Sequence, residues 1–111
     1  PKATKDYELK IKAAWRESGG AFFGKEPISV MIFAYFEPPK STSKKKRAQM
    51  LSGEIRPTVK PDGDNIAKAV CDALNYAAYY DDSQIVMLAV RKSYAETAGI
   101  KVVINTIAPP L

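Results

Sequence analysis

Apolar residues along the chain follow two different periods. Tyr7, Ile11, Ala14 and Trp15 share one face of a helical wheel within residues 4–18, and Gly19-Gly20 closes the run. That spacing predicts an amphipathic helix with Trp15 as a core residue. Residues 28–36, ISVMIFAYF, form an unbroken apolar run between Pro27 and Pro38-Pro39. The run is too short to span a bilayer and largely apolar on both faces, which predicts a strand in the middle of a sheet. Ser43 can cap a short helix over 44–51, with Gly53 after it. Pro61 and Gly63 then turn the chain into a main helix over 64–77, with the stripe Ile66, Val70, Leu74 and Ala77. Two more strands are expected at 84–92 and 100–107, joined by a turn near Gly99 as an antiparallel hairpin.

Composition narrows the chemistry. A length of 111 residues fits one domain with a real core, and an apolar content of 46% argues against global disorder. The chain has no histidine and one cysteine, Cys71. Ser-His-Asp and Cys-His catalysis, His-ligated or Cys-rich zinc, and an internal disulfide are all excluded. Catalysis is left to carboxylates, Lys, Tyr, or a metal held by oxygen. Cys71 lies in a helical apolar pattern and reads as buried filler, and the lone thiol fits a reducing, cytoplasmic setting. No segment resembles a signal peptide or a membrane span.

The charges are segregated. Net charge is +5, which points to a polyanion partner, nucleic acid first and acidic membrane second; charge alone suits a merely basic soluble domain equally well. Five of the six aspartates (Asp62, Asp64, Asp72, Asp81 and Asp82) nevertheless fall within residues 60–82. Asp64, Lys68 and Asp72 are spaced i, i+4, i+8, along one helix face roughly opposite the apolar stripe. If the strand beginning near Gln84 starts beside the N-terminus of that helix, Asp62, Asp64 and Asp82 converge. Converging carboxylates repel unless a cation joins them, and Mg2+ or Mn2+ prefers such oxygens. The plainer alternatives are Asp64 as a helix cap, Asp64 and Lys68 as an exposed ion pair, and Asp81-Asp82 as a turn. Just upstream, Lys44, Lys45, Lys46, Arg47 and Lys60 belong to a basic stretch that is either a solvated face or a set of phosphate contacts.

Together, KPDGDNIAKAVCDALN and YYDDSQIV resemble the signature of RusA-type Holliday junction resolvases, endodeoxyribonucleases common in bacteria, prophages and phages. The upstream SKKKRAQMLSGEIRPTVKPD is similar to phage-type members, and the likeness runs from about residue 27 to 105. It implies a small single α+β domain, a mixed β-sheet with helices packed on it, that forms a homodimer. It implies Mg2+ dependence, with Mn2+ as a substitute, and Asp62, Asp64 and Asp82 as the essential metal-site acids. Lys68 is implied as the basic residue beside them, and Asp72 as an accessory acid. The implied partner is four-way junction or branched DNA, without a membrane, in the cytoplasm of a bacterial or phage-encoding host. The family usually begins with a strand and a basic, proline-containing loop, so the domain is expected to lack a short N-terminal strand and that loop. The implied function is phosphodiester hydrolysis that resolves Holliday junctions. The competing readings are an inactive DNA-binding module of the same fold, an Mg2+-dependent nuclease for other branched DNA or RNA, and a basic domain with a structural cation.

Overall fold

In the computed structural model, residues 2–109 are described. The run at 28–36 is β1 (Ile28–Phe36), the middle of a three-stranded sheet. β2 (Ile85–Tyr94) pairs with it in parallel and β3 (Gly99–Thr106) antiparallel. Ile28, Val30, Ile32 and Ala34, alternate residues of β1, are buried, as a central strand requires. Over them lies the helix α3 (Gly63–Ala73), whose Ile66 and Val70, with Leu74 just beyond, join Tyr79 in the core. The helix α1 (Lys2–Glu17) rests against α3 and sets Ile11 and Trp15 at the core margin. Trp15 Nε1 donates to the Ala21 carbonyl at 3.2 Å. Its ring occupies the space a Cβ on Gly20 would need, so that position requires glycine. The helix α2 (Lys44–Leu51) starts at an N-cap Ser43 whose hydroxyl accepts from the Lys46 N–H, as expected, and it buries Met50.

The order β2-β1-β3 corrects the expected hairpin. β2 and β3 do not pair with each other; they flank β1. The Ala95 N–H donates to the Phe36 carbonyl at 2.9 Å where the connection passes the end of β1. A hairpin would have left one edge of the most apolar strand without backbone partners.

α3 also ends at Ala73, short of the expected residue 77. The Tyr79 hydroxyl donates to the Cys71 carbonyl at 2.6 Å and takes the acceptor that the Asn75 N–H would use in a continuing helix. That N–H donates instead to the Asp72 carbonyl at 3.3 Å, and Tyr76 turns the chain with φ 66°. No helix among the described residues is long and apolar enough to cross a membrane.

Candidate active site

Asp64, Lys68 and Asp72 are exposed on α3, while Ile66 and Val70 are buried, so the spacing read from sequence holds. The helix begins one residue earlier than expected, and the N-cap position falls to Asp62, not Asp64. The Asp62 side chain makes no capping hydrogen bond and is exposed. Asp64 occupies the first turn, where its charge complements the helix dipole.

The second acidic pair divides its labour. Asp81 Oδ2 accepts from the Ser83 N–H at 3.0 Å and caps a short 3-10 turn, Asp82–Gln84. Gln84 Oε1 accepts from the backbone N–H groups of Tyr80 and Asp81 at 2.8 and 2.9 Å, completing a capping box. With Asp81 committed to the turn, Asp82 is left half-buried at the start of β2. Sequence reading gave Gln84 no role, although Asp81 followed three residues later by Gln is a legible capping signal.

Asp82 and α3 meet. A pocket of about 380 Å³ is lined by Asp64, Lys68 and Cys71 from α3 and by Asp82, Ile85 and Leu88. Asp62 is not among its lining residues. Lys68 also lines a neighbouring cavity of about 510 Å³ together with Asp72, Asn65 and Tyr7. Lys68 therefore stands on the ridge between the two openings, and Asp64 and Asp72 lie on either side of it.

The electrostatics record the crowding. The Asp82 carboxyl is raised above the ordinary carboxylate value by partial burial, then by the charges of Asp81 and Asp72 and a hydrogen bond with Asp72. The Asp81 carboxyl is lowered by the Ser83 hydrogen bonds it accepts. Burial, followed by the Asp82 and Asp72 charges, pushes the Cys71 thiol up to about 11, so it is a poor nucleophile, consistent with its reading as filler. Burial raises the Tyr79 hydroxyl further still, which keeps it a hydrogen-bond donor to Cys71.

Among the described residues, no group of three or more Asp, Glu, Cys or His side chains is gathered tightly enough to hold a metal ion. The donor set at the pocket is a pair of carboxylates, Asp64 and Asp82, with the charge of Asp72 close to the second. Such a pair suits Mg2+, which binds through one or two carboxylates and keeps several waters for a phosphate to replace. A cation there would also relieve the like-charge crowding that raises Asp82.

Basic residues occupy a different place. Lys44, Lys45, Lys46 and Lys60 are exposed and Arg47 is half-buried. α2 packs against β2, the same strand whose first residues line the acidic pocket. Arg56, part of the basic stretch before the acidic cluster, and Arg91, to which no role was assigned from sequence, both line a cavity at the C-terminal end of α2.

Residues 1–105 match the family model described as Endodeoxyribonuclease RusA. The chain is 45% identical over 84 residues to the Bacillus subtilis (strain 168) protein named "Uncharacterized protein YqaN", which covers 74% of this chain and 59% of that one. The chain thus spans less than two thirds of this relative's length. No solved structure matches.

Proposed function

Because the chain belongs to the endodeoxyribonuclease RusA family, we propose that the pocket between α3 and β2 hydrolyses phosphodiester bonds in branched DNA, with the four-way junction as its principal substrate. The observation that carries this reading is the meeting of Asp64, Lys68 and Asp82 around one opening, although they come from two separate motifs of the family signature.

In this reading Asp64 and Asp82 would hold a divalent ion, and Asp62, two residues from Asp64 with an uncapped and exposed carboxylate outside the pocket lining, would be the nearest further acid in sequence. Mg2+, for which Mn2+ can substitute, would neutralise charge at the scissile phosphate and make an attacking water more acidic. Lys68 places its ammonium beside the same opening, where it offsets negative charge developing on the phosphate oxygens. Asp72 adds negative charge beside Asp82, which a divalent ion would offset. Lys44, Lys45, Lys46, Arg47 and Lys60 contact phosphates without reading bases.

Two nicks on a four-way junction need two sites, and a twofold homodimer supplies them with the symmetry of the substrate. The face of the sheet away from α3 offers apolar surface for such pairing, with Met31 44% and Met87 66% exposed. Sedimentation of the purified protein, expected at twice the chain mass, checks the dimer.

The activity is tested on four-way junction, duplex and single-stranded DNA with Mg2+, Mn2+ or EDTA, with the cuts mapped. Paired nicks near the crossover, present with either ion and absent in EDTA, are expected. Equal cutting of all three substrates would overturn junction selectivity, and cutting in EDTA would overturn the metal site.

A further inference from the structure

The turn after α2 builds a polar cavity that the acidic pocket does not use. Ser52 caps α2, Gly53 reverses the chain with φ 88°, and the Ile55 N–H returns to the Gln49 carbonyl at 3.0 Å. That reversal brings Arg56 back over the far half of β2. There it lines a cavity of about 220 Å³ with Arg91, Ser52, Ser93 and Tyr94. Two guanidinium groups bordering one small opening favour an anion there. Their planar forks match the oxygens of a phosphate, and the Ser and Tyr hydroxyls add neutral partners. At ~30 Å³ per liquid water the space equals roughly seven waters, enough for one phosphate group and its residual hydration.

Both sites border β2, on different faces of the sheet. A register shift after Ile28 pairs Ile85 with Ile28, Leu88 with Val30 and Arg91 with Phe33. Ile85 and Leu88 therefore face α3 and the acidic pocket, whereas Arg91 faces the other side. β2 is an edge strand, so DNA that reaches both sites passes that edge.

We propose that Arg56 and Arg91 together grip one backbone phosphate of a DNA arm, separate from the phosphate at Asp64 and Asp82. This rests on the reading of DNA as substrate, and it assigns a second anchoring site on the other side of the β2 edge.

The test measures binding in EDTA, so it does not depend on catalysis. Both arginines are exposed, so Arg56→Gln, Arg91→Gln and the double variant should fold as the parent does, checked by circular dichroism. Junction affinity is titrated against salt. Because one phosphate is shared, the double variant should reduce the log–log slope by ~0.9 and not by twice that. A junction series carrying one neutral methylphosphonate at each successive arm position locates the anchored phosphate. Neutralisation at one position away from the mapped nick should weaken the parent protein and leave the double variant unaffected.

An unchanged salt slope in the double variant, or a scan with no position that distinguishes the two proteins, overturns the proposal. Calorimetric binding of inorganic phosphate, abolished in the double variant while junction affinity stays the same, also overturns it and assigns the cavity to a soluble anion. A parent protein that binds no DNA overturns the nuclease reading itself. A parent that binds DNA while the double variant behaves identically overturns only the arginine site.

Discussion

Gln84 Nε2 donates to the Gly24 carbonyl at 2.8 Å, joining residues 60 positions apart in the chain. The same amide nitrogen donates to the Glu26 carbonyl at 2.8 Å, and its oxygen closes the turn that contains Asp82. One side chain therefore fixes the acidic turn to the loop that leads into β1. Asp82 enters the pocket from a turn that this side chain ties on both sides.

Gln84→Leu removes four hydrogen bonds at a partly exposed site, and at ~1 kcal/mol net for a typical bond the loss should be ~1–3 kcal/mol, since water replaces some of them. Gln84→Glu keeps acceptors for Tyr80 and Asp81 and loses the donors to Gly24 and Glu26. It should melt between the parent and the leucine variant. Nicking measured well below both melting points should fall in the same order, because the displaced group is Asp82. Equal nicking by all three proteins would show that the turn does not position the acid.

Asp82 gives a pH dependence whose sign can be worked out. Its folded-state carboxyl is raised, so the folded protein binds that proton more tightly than the unfolded chain does. Asp82 is thus least costly below the ordinary carboxylate range near 4, and it destabilises increasingly as pH rises through its raised folded value. Asp82→Asn should melt higher than the parent at pH 7 without divalent ions, and the advantage should vanish toward pH 3. Mg2+ should raise the parent's melting temperature and leave the variant's nearly unchanged. A variant that melts lower at pH 7 would mean that Asp82 is held by favourable partners.

The apolar patterns located β1 and α3, because burial of Ile28, Val30 and Ile32 on one side and of Ile66 and Val70 on the other leaves its mark directly in residue type, whereas α2 was legible from its Ser43 cap and the 3-10 turn Asp82–Gln84 was not foreseen. Strand pairing left no such mark. β2 and β3 are neighbours in sequence, and nothing in Gly99 reveals that the link passes the end of β1. The end of α3 was hidden for a different reason, since it is set by the hydroxyl of Tyr79, eight residues from the carbonyl it takes. At the site, helical spacing placed Asp64, Lys68 and Asp72 together because they share an element. The approach of Asp82 depended on the parallel pairing of β1 and β2, which brings Ile85 level with Ile28 beneath α3. The separate roles of Asp81 and Asp82 follow from one N–H, that of Ser83, and two adjacent identical residues carry no sign of which will receive it.

The basic run on α2 should act through charge alone. Changing Lys44, Lys45, Lys46 and Arg47 together to Ala should weaken binding to all DNA sequences alike. The log–log salt slope should fall by up to ~0.9 for each phosphate that the run no longer neutralises. Ala favours helix, and the Ser43 cap is untouched, so α2 should persist. A slope equal to the parent's would reduce the run to a solvated face.

Asp64→Asn separates chemistry from structure. The amide is nearly isosteric, and Asp64 is exposed in the first turn of α3, beyond the position that would cap it. Removing the charge should leave the fold intact, with at most a few tenths of a kcal/mol lost from the helix dipole. Repulsion within the acidic pocket falls at the same time, which offsets that loss. The missing charge weakens the hold on a divalent ion, and nicking in Mg2+ should drop by at least ~10²-fold if the site supplies a main electrostatic contribution. DNA binding should move the other way. One fewer negative charge facing a phosphate means less repulsion, so junction affinity in EDTA should hold or rise. The expected protein is folded, binds junctions and does not cut them. Melting, affinity in EDTA and nicking in Mg2+ on one preparation check all three parts. Nicking near the parent rate would remove Asp64 from the reaction, and a collapse of melting temperature together with nicking would make its role structural.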